Sequence, residues 1–212
     1  MLLRSILAGI LLFCSVSLFA MSDVFHLSLS VGDKWIYTEH TETIMQSTSY
    51  GGNQWYGFTT FPLPESLPSE LWDVGSETWD SPVDNWMAVI GTSLCLMDKI
   101  GDVSYSEVLK TPVVKGGSWS TVVPGVGSAI FTLIERENVI VPAGTYENCW
   151  KVGTEFYKSD PNTGKNSRIV DYTWYADSVG VIKDSVYIDN TANPDCHEVY
   201  VYKLIRYIPA GH

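Results

Sequence analysis

The chain is poor in positive charge and in cysteine, and beyond its first 22 residues it has no apolar run long enough to cross a bilayer. Thirteen Lys and Arg stand against 24 Asp and Glu, a formal net charge of −11. A surface with that balance repels phosphate backbones and anionic headgroups, which argues against nucleic acid as a partner and against peripheral attachment to anionic membranes. Four cysteines are present, and no two form a C-x-x-C pair, so neither a dithiol redox site nor a zinc ribbon is supported. There is no H-E-x-x-H, no G-x-S-x-G, and no Gly-rich phosphate loop between a strand and a helix. These gaps argue against an enzyme and imply no cofactor and no metal. A sustained helical period of ten or more residues is missing as well.

What the first residues do contain is an export signal. Arg4 precedes an apolar run from Ile6 to Phe19, the length of a signal-peptide core, and small residues follow at Ala20 and Ser22. Residues 1–22 are therefore expected to be removed, leaving a single domain over 23–212 in the periplasm or outside the cell. Cys14 follows Phe13 rather than a small residue, which disfavours acylation at that cysteine. Cys95, Cys149 and Cys196 survive cleavage, and their odd number permits at most one internal disulfide.

With 45% hydrophobic and only 17% charged residues the chain as a whole is not disordered, and its 8 Trp and 12 Tyr favour pleated surfaces. Strand-like runs cover Trp35 to Thr41, Gln54 to Phe61, Trp86 to Ile90, Ser93 to Met97 and Ala129 to Val141. Four more, Asn148 to Tyr157, Ile169 to Ala176, Gly180 to Ile188 and Glu198 to Ile208, are separated by turn chemistry such as Asp177-Ser178-Val179. Short connections make neighbours antiparallel, so this last third reads as a four-stranded meander. The fold class is all-β, a bent antiparallel sheet forming a partial barrel or sandwich. Val31-Gly32-Asp33-Lys34-Trp35 is echoed by Lys115-Gly116-Gly117-Ser118-Trp119, which suggests two similar halves, 23–110 and 111–212. In each, a Gly free to take positive φ feeds a strand that opens on a Trp able to plug the end of a barrel.

Between Phe61 and Trp86 the sequence is neither strand nor ordinary turn. Pro62, Pro64, Pro68 and Pro82 break it, and Trp72, Trp79 and Trp86 recur every seven residues among acids that include Asp73 and Asp80. Indole faces beside carboxylates suit sugar rings, and Trp72, Trp79, Trp86, Asp73 and Asp80 are the candidate ligand-binding residues. The competing reading is that these rings fold back to seal the β core. Asp189, Asn193, Asp195, His197 and Glu198 around Cys196 offer oxygen and nitrogen donors, but Asp, Asn and Pro are also what any hairpin turn uses, and their spacing matches no established ligand loop.

Val139-Ile140-Val141-Pro142-Ala143-Gly144-Thr145-Tyr146-Glu147-Asn148-Cys149-Trp150-Lys151-Val152 and Thr173-Trp174-Tyr175-Ala176-Asp177-Ser178-Val179-Gly180-Val181-Ile182-Lys183, with the Val31 to Trp35 motif, resemble a broad group of uncharacterised bacterial exported proteins, many of them lipoproteins. The chain departs from that group in carrying Asp177-Ser178 where Pro-Gly is common, and in lacking the lipoprotein cysteine. The resemblance implies an all-β envelope protein and carries no catalytic residues. The expected role is non-enzymatic binding, of a glycan, a small molecule or lipid, or an envelope protein. The alternatives are a secreted hydrolase built on carboxylates and a purely structural envelope component. An apolar cavity inside the sheet would favour lipid or small-molecule binding, an exposed row of Trp a glycan, and two carboxylates facing across a cleft a hydrolase.

Overall fold

The computed structural model describes residues 24–62, 85–101, 104–123, 127–159, 166–190 and 193–211. All regular structure in them is strand: β1 (Lys34–Tyr37), β2 (His40–Tyr50), β3 (Asn53–Pro62), β4 (Asn85–Ile90), β5 (Ser93–Met97), β6 (Ser106–Lys110), β7 (Ser118–Val123), β8 (Gly127–Val141), β9 (Gly144–Ser159), β10 (Asn166–Ala176), β11 (Gly180–Asn190) and β12 (Asn193–Ile208). They form one antiparallel sheet in the order β6-β5-β4-β3-β2-β1-β12-β11-β10-β9-β8-β7. Two six-strand meanders, β1–β6 and β7–β12, are thus joined by the pairing of the first strand with the last. The expected C-terminal meander is β9 to β12.

The sheet curls until its edge strands meet. No backbone ladder joins β6 to β7. Instead the Ser106 hydroxyl donates to the Val122 carbonyl at 2.6 Å, and the Trp119 indole N–H donates to the Glu107 carbonyl at 2.7 Å. Side chains close this seam, which makes the sheet a nearly closed barrel with one weak join.

One end of the barrel is plugged by the chain before β1. Phe25 N–H donates to Thr111 Oγ1 (3.1 Å), and the His26 carbonyl accepts from Ser178 N–H in the β10–β11 turn (2.6 Å). Phe25 is buried edge-on against Tyr175, with ring centroids 6.2 Å apart. The geometry of a tight entry explains the Val31 to Trp35 motif. Gly32 takes φ 100°, buried Asp33 accepts from Ser30 N–H (2.7 Å) and Ala210 N–H (2.8 Å), and the Trp35 indole donates to the Val179 carbonyl (2.6 Å). The Pro142-Ala143 turn reaches the same end, where Ala143 N–H donates to the Leu204 carbonyl at 3.1 Å. The Val31 to Trp35 and Pro142-Ala143 segments therefore do structural work here.

Two sequence expectations need correction. Trp35 to Thr41 is not one strand: β1 ends at Tyr37 and the chain reverses through Thr38 and Glu39 into β2, with Trp35 paired to Glu42. The β-rich composition on both sides of the reversal hid a turn that has neither Gly nor Pro. Strand β6 also escaped the sequence reading, and β7 entered it only as the strand that opens on Trp119. They are short edge strands, and β7 alternates exposed with half-buried residues, so its pattern of burial is shallow.

Candidate functional site

The interior is not filled. A cavity of about 330 Å³ lies inside the barrel, at the lower end of the roughly 300–1,000 Å³ usual for small-molecule sites. Its lining divides by strand position. Phe58 (β3), Met87 (β4), Leu94 and Leu96 (β5), Val108 (β6), Val123 (β7) and Phe131 (β8) form an unbroken apolar arc. The opposite arc carries the polar groups, Glu42 on β2, Tyr202 on β12, Asp184 on β11, Asp171, Thr173 and Tyr175 on β10, and Thr154 on β9, together with the apolar Phe156 on β9 and Val181 on β11.

Hairpin register brings the acids together. The Asp177-Ser178-Val179 turn, with Ser178 at φ 64°, sets Thr173 opposite Asp184 and Asp171 opposite Val186. Asp171 and Asp184 are then diagonal neighbours on one face, within side-chain hydrogen-bonding reach. Thr173 Oγ1 donates to Asp184 Oδ1 at 3.4 Å, whereas Asp171 Oδ1 is shut off from solvent and accepts no hydrogen bond. Burial, and then the neighbouring Asp184, push the Asp171 carboxyl up to about 9, so it holds its proton at neutral pH. On the same ground, burial raises the phenols of Tyr37, Tyr175 and Tyr202 well above their usual range, with the Asp184 charge adding to the effect in each. The Tyr37 hydroxyl donates to the Val181 carbonyl at 3.0 Å. Glu42 meets His40 Nε2 at 3.2 Å, and the His40 ring packs edge-on against Tyr202 at 4.9 Å. No Lys or Arg is among the described residues that line the cavity.

Sequence reasoning pointed elsewhere. Trp72, Trp79, Asp73 and Asp80 lie outside the described residues. Trp86 is described: it sits on β4 opposite Gly57 and Met97, half-buried against a small cluster of Trp55, Ala88, Cys95 and Met97. Its neighbour Met87, not Trp86, faces the cavity. The side chains of the Asp189 to Glu198 group likewise lie outside the described residues. Cys95 and Cys149 are buried free thiols, whose pKa burial pushes up to about 12 and about 11, so neither is a nucleophile at neutral pH.

The signal that could have located the site is a fault in alternation along β10. Val170, Tyr172 and Trp174 look like the inward face, yet Asp171, Thr173 and Tyr175 are the ones that line the cavity. On the outer face the Trp174 ring is covered by the ammonium groups of Lys183 (4.1 Å) and Lys151 (5.0 Å), and its indole donates to Glu137 at 2.6 Å. That hydrogen bond, ahead of the nearby lysine charges, holds the Glu137 carboxyl below its usual range.

Comparison with known proteins adds the fold and no function. No family model matches the sequence, and no curated protein matches it. Among solved structures, the chain resembles a candidate lipoprotein from Parabacteroides distasonis ATCC 8503, with 12% identity, a TM-score of 0.50, and coverage of 87% of this chain and 99% of that one. At that identity the likeness is one of fold.

Proposed function

We propose that this protein is a non-enzymatic binding domain of the cell envelope or its exterior, which encloses a small, largely apolar molecule inside its barrel. The observation that carries this reading is the cavity itself: about 330 Å³ of space walled on one side by seven apolar side chains from six consecutive strands. A packed β core leaves few voids larger than a water molecule, so space on this scale is a feature of the fold rather than a packing defect. The export signal and the motifs shared with exported bacterial proteins support the address. A carboxylate-based hydrolase fits less well. Glycosidase carboxylates stand about 5–9.5 Å apart across a substrate, whereas Asp171 and Asp184 are in hydrogen-bonding reach on one wall.

The test is direct. Mature protein should enhance the fluorescence of the neutral dye N-phenyl-1-naphthylamine, and decanol should displace it. Val108→Trp, which puts an indole into the apolar arc, should abolish both while leaving the circular dichroism unchanged. Absence of dye enhancement together with absence of any thermal shift by decanol would overturn the reading.

A further inference from the structure

The cavity has two unlike walls, and a ligand that satisfies both must itself have two unlike ends. We infer that the enclosed molecule is a small amphiphilic amine, its hydrocarbon part against Phe58, Leu94, Leu96, Val108 and Phe131 and its protonated amino group against Asp171, Asp184 and Glu42. The inference rests on the binding function proposed above and adds the chemistry of the head group.

Three observations converge on it. First, all three carboxyls share one arc, with Tyr202 within electrostatic range of every one of them. Second, Asp184 is only 7% exposed and Asp171 Oδ1 has no hydrogen-bond partner, so the cavity holds acceptor capacity that the protein does not use. Third, no Lys or Arg among the described lining residues supplies the counter-charge that buried carboxyls ordinarily keep. An ammonium group brings three donors and one positive charge, which matches that deficit, whereas an alcohol brings one donor and a carboxylate adds repulsion. Size limits the class further. At roughly 30 Å³ per small heavy-atom group, the volume admits on the order of ten non-hydrogen atoms, which suits a single short chain and not a diacyl lipid.

Binding of this kind has a proton signature. The titratable groups around Asp171 are Asp184 on β11, Tyr175 on its own strand and Tyr202 on β12; Glu42 on β2, with His40 against it, lines the same cavity, and Tyr37 on β1 lies within range of Glu42 and Asp184. The nearby walls of β3, β8 and β9 present Phe58, Phe131 and Thr154, none of which titrates. Burial keeps the Asp171 carboxyl protonated at neutral pH, and an arriving ammonium displaces that proton to solvent.

The experiment compares decylamine, decanol and decanoate as displacers of N-phenyl-1-naphthylamine at pH 7.5 and physiological salt. Decylamine should bind about tenfold more tightly than decanol, and decanoate more weakly than either. The double variant Asp171→Asn/Asp184→Asn should lower decylamine affinity about tenfold and leave decanol within about twofold. Calorimetry of the unaltered protein in two buffers of different ionisation enthalpy should find about one proton released per decylamine bound and none per decanol. Equal affinity for amine and alcohol with no proton release would overturn the amine assignment and leave the binding function standing. Failure of all three compounds and of the dye would overturn both.

Discussion

The two arcs of the barrel wall are built from equal numbers of strands and do opposite things. The arc from β3 to β8 presents side chains that gain from leaving water, and it holds the barrel together through apolar contact. The arc from β9 round to β2 presents carboxyls, phenols and hydroxyls, several of them buried at a cost that their internal hydrogen bonds offset only in part. The β9-to-β2 half packs its own apolar core around Trp35, Ile44, Ile182 and Leu204, so the difference is confined to the cavity walls, where one wall is apolar and the other keeps an unsatisfied acceptor in place.

Substitutions at Phe131 on the apolar wall and at Asp171 on the polar wall should therefore have opposite signs. The largest effect is expected from Phe131→Ala. Phe131 is buried and stacks on Trp119 at 5.7 Å, so removing it enlarges the cavity and loosens the seam, at a cost of about 3–5 kcal/mol by denaturant titration. A cost below about 1 kcal/mol would mean that the apolar arc is not the stabilising one.

Next in size is Asp171→Asn, expected to stabilise. The folded carboxyl sits at about 9 against an ordinary 3.8, so between those values the folded state binds more protons than the unfolded state. Stability from this group is thus fully present below about pH 4 and falls as pH rises toward about 9. Asparagine removes that slope. The variant should melt several degrees higher than the parent at pH 8 and no higher at pH 4, as followed by thermal denaturation. A melting temperature at pH 8 lower than the parent's would show the carboxyl to be a structural group, not a strained one.

The smallest effect belongs to the seam. Ser106→Ala removes the hydroxyl that reaches Val122 and should cost about 1 kcal/mol. Hydrogen exchange should report it as faster opening of β6 and β7, with β10 and β11 unchanged. Uniform acceleration across all strands would place the seam within the global unfolding unit and erase it as a separate feature.

Much of the fold was legible because strand periodicity and turn chemistry are local. Ser178 at φ 64° falls in the turn where the sequence placed it, and the meander from β9 to β12 follows from short connections. The reversal at Thr38-Glu39 was not legible because it carries no strong turn residue, and the edge strand β6 was not because it is only five residues long, although Val108 and Leu109 are buried. The candidate site was missed for a different reason. Along Ile169 to Tyr175 both faces carry apolar residues, and Tyr172 and Trp174 reverse the apparent parity because lysine stems and a glutamate cover them from outside. A rule that points aromatics inward puts Asp171 in solvent, where an acid in an acidic chain attracts no notice.

The amino-acid sequence by itself determined that this chain is all-β and acidic, because composition and two-residue alternation act within a few residues of chain. It also set where the hairpins of the last third turn. Only the tertiary structure decided that Glu42, Asp171 and Asp184 meet. Glu42 lies in the first meander and the two aspartates in the second, and they share a cavity solely because β1 pairs with β12 and the sheet curls round to its own edge. The β1–β12 pairing joins residues more than a hundred positions apart, for which local sequence carries no signal.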